Sequence, residues 1–587
     1  MWRWALLVAL VVAAYGPALR ADFVNWDDPV HVYENPRVIA PDALRRGWSD
    51  GREPGFYPVL FAVYRAEWRA AEGRPWLFHL DNVLLHAGNA LLVGALAGAL
   101  GMPALASWLV AALWALHPAH VESVAWISER KNVLYTFFWL SSLLVHLRWR
   151  RADSSRAPFV YAGSLLLFAL SLLSKGAAMT LPAALVLIEW SRGRPLGRRF
   201  WLSLAPYVAL GILGGIGLLR LVPATMPVPS LGVRLAVACR AFWLYLATFL
   251  WPHALLPIYP RWSIAQMAPP DLAAALGVVA LVAVGGAARA RVPRVIVVGA
   301  GLFVTNIILV LGVVWNSYTR TAFVADRYLY LPAVGLAIVA VAGLGELAHV
   351  ARLPARVVPA ALTLWFTLLG VATWGQVPVW HDSGALWGYA LAHHPDCVPC
   401  HENLGRMLLD RGDVATAADH YETAMRLGPD VMGVFGLGNV RLRQGRLDDA
   451  AALYERARRL DPLYEKPAYN LGVVREKQGR AEEAIASYQE AVRLRPEWPD
   501  AHNNLGVALL HAGRIGEAKT QFEETRRLHP GDVEAELNLG LIAAADEDWE
   551  AGERHYRTAL GAASGDLQLV TAHRGLADVL VKREQVG

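Results

Sequence analysis

The hydrophobic positions of the first 375 residues fall in long runs, near 4–20, 83–101, 104–116, 133–147, 159–174, 177–190, 201–219, 233–251, 271–288, 295–315, 331–349 and 357–375. Such runs predict membrane-crossing helices, because a span takes about 20 apolar residues and must satisfy its backbone hydrogen bonds internally. Several polar breaks between them are rich in arginine: Arg148, Arg150, Arg151 and Arg156; Arg192, Arg194, Arg198 and Arg199; Arg289, Arg291 and Arg294; and Arg352 with Arg356. Positive charge beside short spans marks the cytoplasmic side. With the N-terminus inside, the first two clusters fall inside, but twelve crossings would put Arg289 to Arg294 outside. One segment between 201 and 271 should therefore not cross. Arg234 and Arg240 interrupt 233–251, which is read as re-entrant or interfacial, leaving about eleven spans. A cleaved signal peptide is the rival reading of the first run, opposed by Trp2, Trp4 and the lack of a clean A-x-A site. Residues 21–78, 117–132, 316–330 and everything after 376 then share the external face.

Past residue 376 the pattern becomes amphipathic and periodic. Leu404-Gly405, Leu437-Gly438, Leu471-Gly472, Leu505-Gly506 and Leu539-Gly540 recur at steps of 33, 34, 34 and 34. Twelve residues after each Gly stands a small residue, Ala417, Ala450, Ala484, Ala518 or Gly552, and four further on an aromatic, Tyr421, Tyr454, Tyr488, Phe522 or Tyr556. Pro429, Pro462, Pro496 and Pro530 end the second helices. This is the tetratricopeptide pattern, which stacks helix pairs into a solenoid with a concave binding groove. The expected fold is all-α: a polytopic membrane domain over 1–375, a linker and half-repeat over 376–397, five repeats over 398–566, and a capping helix and tail over 567–587. Asn403, Asn470, Asn504 and Asn538 recur two residues before the Gly, either lining the groove as clamps for the backbone of an extended peptide or satisfying the backbone of neighbouring repeats.

Charge divides at the same boundary. Residues 1–375 carry 31 Lys and Arg against 17 Asp and Glu, and 376–587 carry 24 against 33. A nucleic-acid partner is not expected, because the positive charge is dispersed between apolar runs. At 55% hydrophobic and 18% charged residues, with a mean hydropathy of +0.32, the chain is neither one soluble domain nor disordered. Three cysteines make no disulfide framework. Cys397-Val398-Pro399-Cys400-His401 has the formal spacing of a haem c attachment site, but His401 falls on a repeat helix with little room for a porphyrin. A local Cys397–Cys400 disulfide is preferred, with free thiols as the alternative.

The external loops hold the candidate chemistry. The first contains Asn25-Trp26-Asp27-Asp28-Pro29 and continues to Glu34. Adjacent carboxylates beside a membrane suit a general base or a cation site, unless one of them only caps a helix starting at Pro29. The second runs from His117-Pro118 through His120, Glu122 and Glu129 to Arg130-Lys131. His117, His120 and Glu122 match no standard zinc spacing, and Arg130 with Lys131 suits a phosphate. Lys175 sits in a tight turn, either as a further cation or snorkelling. Arg320 and Asp326-Arg327-Tyr328 lie at another external turn, where Asp326 and Arg327 could neutralise each other.

These features together resemble the GT-C membrane glycosyltransferases, most closely the transmembrane-and-TPR protein O-mannosyltransferases and their bacterial relatives. The residues that carry the resemblance are Asn25 to Asp28, Phe78-His79 with Asn82 and Leu85-His86, the run from His117 to Lys131, Asp326 to Pro332, and the repeats. The resemblance implies a polyprenyl-phosphate sugar donor, catalytic acids at Asp27 and Asp28, and a protein acceptor presented by the repeats. The cations Arg130, Lys131, Lys175, Arg320 and Arg327 would hold the donor phosphate, with Glu34, His117, His120, Glu122, Glu129 and Tyr328 as further site candidates. Where relatives carry an Arg-Pro pair late in the first loop, this chain reads Phe56-Tyr57-Pro58. No cofactor is assigned, and a divalent metal is left open. The expected location is a bacterial inner membrane with external repeats, and the partners are the lipid-linked sugar, the acceptor and membrane lipids. A non-enzymatic scaffold is the alternative, and a transporter is disfavoured because most spans lack a carboxylate or lysine at mid-depth.

Overall fold

The computed structural model describes the chain except residues 41–56, 151–155, 194–195, 221–227, 264–268, 289–290, 316, 429 and 587, and the described residues contain helices and no strand. Phe56, Arg151, Arg194, Arg289 and Pro429 of the sequence patterns lie outside the described residues. Two compact units form, Met1–Asn403 and Leu404–Gly587.

In the first unit, eight described helices are long and apolar enough to cross a membrane: Trp2–Arg20, Trp76–Ala99, Ala157–Ser174, Arg198–Ile216, Leu231–Leu250, Pro269–Ala287, Ala333–Val350 and Val357–Trp380. The unit is that of a multi-pass membrane protein. A further apolar pair, Ala104–Ala115 and Pro118–Ala125, is bent by 55° at its break, as a broken span or a re-entrant loop is. Pro118 lacks the N–H that would continue the helix, and the His117 imidazole accepts the Ala119 N–H to open the next turn. Gly176–Ser191 and Arg294–Val310 are shorter apolar segments, and Arg130–Trp149 is as long as a span but charged near both ends.

Ion pairs define the two ends of this bundle. Glu189 gathers Arg150 at 3.5 Å and Arg192 at 3.3 Å, and Arg294 donates to the Ser191 carbonyl at 3.1 Å. Three of the basic clusters thus meet at one end, the grouping that the parity argument required. At the other end Lys175 donates to Asn132, across the antiparallel pair Ala157–Ser174 and Arg130–Trp149. The run 233–251 is one unbroken helix, Leu231–Leu250, so it is not the bent hairpin of a re-entrant loop. Arg234 near its start donates to the Val313 carbonyl, and the Phe249 carbonyl near its end bonds to His117.

Helices Arg294–Ile307 and Ala333–Val350 cross at their closest where Gly299 faces Gly335. A Cβ on Gly335 would lie 2.2 Å from the Gly299 carbonyl oxygen and 2.5 Å from the Phe303 nitrogen. Small residues let membrane helices approach this closely.

The repeat array has the expected helix pairs, from Val398–Asp410 with Val414–Leu427 to Val533–Ala545 with Trp549–Ala562, closed by Asp566–Val586. Its spacing follows from one packing rule. Each recurrent Gly receives the recurrent aromatic ring, so that a Cβ at Gly472 would stand 2.6 Å from Tyr488 and one at Gly506 2.6 Å from Phe522. Ahead of it, in the first unit, Cys397 and Cys400 form a buried disulfide with Cα atoms 5.2 Å apart.

Candidate active site

The four residues Asn25 to Asp28 enter four different environments. Asn25 docks the first loop on the half-repeat: its carboxamide accepts from Trp387 Nε1 at 2.7 Å and donates to the Asn403 carbonyl at 2.9 Å, while its N–H donates to Ser383 Oγ at 2.8 Å. Trp26 stacks on Trp126 with ring centroids 4.6 Å apart and meets Trp387 edge-on. Asp27 remains 40% exposed and stands 4.0 Å from Lys131 Nζ. Asp28 is buried, and it accepts the Val24 N–H at 2.9 Å, the Ser128 N–H at 3.0 Å and the Ser128 hydroxyl at 2.5 Å. It makes no capping bond into Pro29–Tyr33; it clamps the first loop to the second. Burial pushes its pKa up to about 6, against the pull of the three donors and with a further push from Asp27.

Glu129 is the hub of the cations. Lys131 approaches it at 2.9 Å, Arg327 at 3.7 Å and Lys175 at 3.9 Å. Burial would raise its pKa, but Lys131, Lys175 and Arg327 outweigh that and hold it down at about 2. Asn132 donates to Glu129 at 2.6 Å and accepts from Lys175, so Lys175 does not snorkel. Arg327 pairs through its guanidinium with Glu122, whose carboxylate also accepts the Arg327 N–H at 2.7 Å. The guanidinium lies 4.2 Å from the Tyr318 ring centre and 5.3 Å from that of Tyr328. Asp326 turns instead to the Tyr259 hydroxyl at 2.7 Å, so it does not neutralise its neighbour.

Other candidates lie elsewhere. Arg130 is fully buried and faces away from Lys131, bonding to Glu67, Asn82 Oδ1 and the Phe78 carbonyl and lying over the Tyr64 and Phe78 rings. Adjacent residues at the first turn of a helix point about 100° apart, which separates the expected pair. Arg320 and Glu34 are exposed. His117 and His120 join an aromatic cluster with His86, Trp114 and Tyr330, while Glu122 is taken by Arg327. No group of three or more His, Cys, Asp or Glu arranged to hold a metal occurs among the described residues.

The sequence reading missed His31. Its N–H donates to the Asp27 carbonyl at 2.9 Å, one turn on, and its ring lies 6.5 Å from that of Tyr57. Burial and Lys131 push its pKa down to about 4, opposed by Asp27 and Glu129, so it is a neutral imidazole facing the same charges. The four-residue step from Asp27 was the available signal. Asn132 and Ser128 also went unremarked, because their roles need the fold. The assembled cluster offers one accessible carboxylate beside several fixed cations, an arrangement that can take a proton at one point and hold an anion at another.

In the repeats, Asn403 donates to the Pro399 carbonyl of its own helix at 2.8 Å. Asn470 donates to Asn439 at 2.7 Å and Asn504 to the Tyr469 hydroxyl at 2.8 Å, in each case side chain to side chain with the preceding repeat. Asn504 also lines a cavity of about 300 Å³ with Glu476, Tyr488 and Val507. Asn538 is half-buried on Val533–Ala545.

Fold and cluster define a multi-pass membrane protein carrying tetratricopeptide repeats and a buried charge cluster built on its first two polar loops. The tetratricopeptide repeat family model matches residues 380–431, 402–465, 435–501, 469–519 and 503–566. Over most of its length the chain is similar to the TMTC protein O-mannosyl-transferases. It is 25% identical over 459 residues to a protein O-mannosyl-transferase of Caenorhabditis elegans, covering 72% of this chain and 62% of the relative. It is 26% identical over 503 residues to human protein O-mannosyl-transferase TMTC4, covering 71% and 66%. The chain therefore spans less than two thirds of the length of these relatives. Among solved structures, YrrB, described as a TPR protein with an unusual peptide-binding site, is 23% identical over 32% of this chain and 97% of its own, with a TM-score of 0.28.

Proposed function

We propose that the chain is a GT-C-type membrane glycosyltransferase that moves a sugar from a polyprenyl-phosphate donor to a hydroxyl of a protein. The observation that carries this reading is the pairing of the accessible Asp27 carboxylate with Lys131 at 4.0 Å, beside Lys175 and Arg327 around Glu129. Asp27 takes the proton of the acceptor hydroxyl, whose oxygen attacks the anomeric carbon. The bond from that carbon to the phosphate oxygen breaks, and the departing phosphate is held by Lys131, Lys175 and Arg327. Asp28 positions Asp27 by fixing the loop to Ser128. The similarity to protein O-mannosyl-transferases supports both the reaction class and a protein acceptor, for which the repeats supply the docking surface. The basic end of the bundle faces the cytoplasm and the Asp27 end the outside of a bacterial inner membrane.

The test is transfer of a radiolabelled sugar from polyprenyl-phosphate donors to protein in membranes containing the chain. Asp27→Asn is expected to lose at least about a hundredfold in transfer, the scale of a lost general base, with its thermal unfolding unchanged. Full transfer by that variant removes Asp27 from the chemistry. Absence of label with every donor, together with partner capture by the full chain, supports a scaffold instead.

A further inference from the structure

Behind Arg130, on the side away from the charge cluster, lies an apolar groove of about 470 Å³. Val59 and Val63 of Pro58–Ala71, Leu77 of Trp76–Ala99 and Leu170 of Ala157–Ser174 line it, and Glu67 and Asp81 close one end. Both carboxylates reach the same nitrogen, Arg130 Nη1, with Asp81 at 3.5 Å. The other donors of Arg130 are committed, Nε to Asn82 Oδ1 and Nη2 to the Phe78 carbonyl. Two carboxylates face one guanidinium, and burial, with Asp81 beside it and against the pull of Arg130, pushes the Glu67 pKa up to about 7, so the pair either shares a proton or carries a second negative charge. Glu67 is only 7% exposed, yet its Oε1 is buried with no hydrogen-bond partner among the described residues. Such an oxygen needs a donor, since burying a charge without one is costly.

The groove's position says where that donor comes from. Leu77 opens one spanning helix and Leu170 lies in the last turns of another, so the groove sits where spans end and lipid head groups lie. Trp68 and Trp76, next in sequence to Glu67 and Leu77, are half-buried and exposed, and tryptophan favours this level. Ala66 is on the groove face and Arg69 follows it by three residues, so exposed Arg69 extends the same face beyond the carboxylates.

We propose that this groove binds a membrane lipid with a primary ammonium head, which donates to Glu67 and Asp81 while its chains lie against Val59, Val63, Leu77 and Leu170. Arg69 lies within reach of the lipid phosphate. A quaternary ammonium carries the same charge but has no N–H to give to Glu67 Oε1, so the site discriminates between head groups of equal charge. Nothing in this assignment depends on the transfer reaction.

The experiment reconstitutes the purified full chain in discs of equal parts phosphatidylethanolamine and phosphatidylcholine and measures the retained lipid by native mass spectrometry. Wild type is expected to retain phosphatidylethanolamine at least about tenfold over phosphatidylcholine, a difference of about 1.4 kcal/mol. Ala66→Trp fills the groove from an exposed position without touching the ion cluster and should abolish the preference. Asp81→Asn should reduce it while leaving Glu67 on Arg130. Equal retention of the two lipids by wild type, or an undiminished preference in Ala66→Trp, overturns the proposal. So does displacement of the lipid by soluble ethanolamine at matched concentration, which would mean that the chains contribute nothing.

Discussion

Asp27 and Asp28 are neighbours with opposite fates. One is accessible beside a lysine, and the other is walled in by three hydrogen bonds that join two loops. Nothing in a run of loop residues fixes which carboxylate turns inward, so sequence marked the pair and left the division of labour open. Replacing the clamp is expected to act on folding: Asp28→Asn sets an amide N–H against the Val24 or Ser128 donors and should destabilise the chain by about 1–3 kcal/mol, read as a lower melting temperature. The pH response follows from the same residue. Because Asp28 titrates at about 6, lowering the pH through that value protonates the clamp, and transfer activity should fall with it. The Ser128 hydroxyl favours the ionised form, so Ser128→Ala should move that inflection to higher pH. An inflection unmoved in Ser128→Ala would separate the pH response from Asp28.

At the scale of helices, the features set by local pattern were legible and those set by tertiary partners were not. The 34-residue period and the helix pairs each rest on residues close in sequence, whereas the helix that resumes at Pro118 within the expected loop 117–132 does not show in the hydrophobic pattern. The Asn pattern suggests groove contacts or ties to the backbone of neighbouring repeats, whereas Asn470 and Asn504 bond to side chains a full repeat back, at Asn439 and Tyr469. Arg130 and Lys131 read as one phosphate site, but a helix turn sends them to Glu67 and Glu129. The Gly299–Gly335 crossing was likewise invisible, because a lone glycine in an apolar run does not name its partner. It gives a sharp prediction. In Gly335→Ala the new methyl meets backbone on the facing helix, which cannot swing aside as a side chain can. The variant should lose about 1–3 kcal/mol or more through overpacking, measured as a lower unfolding temperature in detergent. Gly343→Ala on the same helix, where a Cβ meets nothing within 4 Å, should leave it unchanged.

For the whole molecule, the distribution of arginine is the strongest sequence signal, and the structure gives it a spatial meaning. Arg150, Arg192 and Arg294 converge on Glu189 and Ser191 at one end of the first unit, while Lys131, Lys175 and Arg327 surround Glu129 at the other. Arg130–Trp149 joins the two ends over 20 residues, about 30 Å of helix, the thickness of a bilayer core. Charge of one sign therefore gathers in two ways: at one end arginines of three clusters meet around Glu189 and Ser191, and at the opposite end a few cations turn inward on buried carboxylates. The prediction is one of sidedness. With Cys239, the one free cysteine, replaced by Ser, Arg198→Cys and Glu72→Cys place single thiols at exposed positions of the two ends. A membrane-impermeant maleimide applied to intact cells should label Glu72→Cys and leave Arg198→Cys unlabelled until the membrane is permeabilised. Labelling of both from outside would break the parity assignment among the helices between residues 72 and 198, where the pair bent at His117-Pro118 is the first to re-examine.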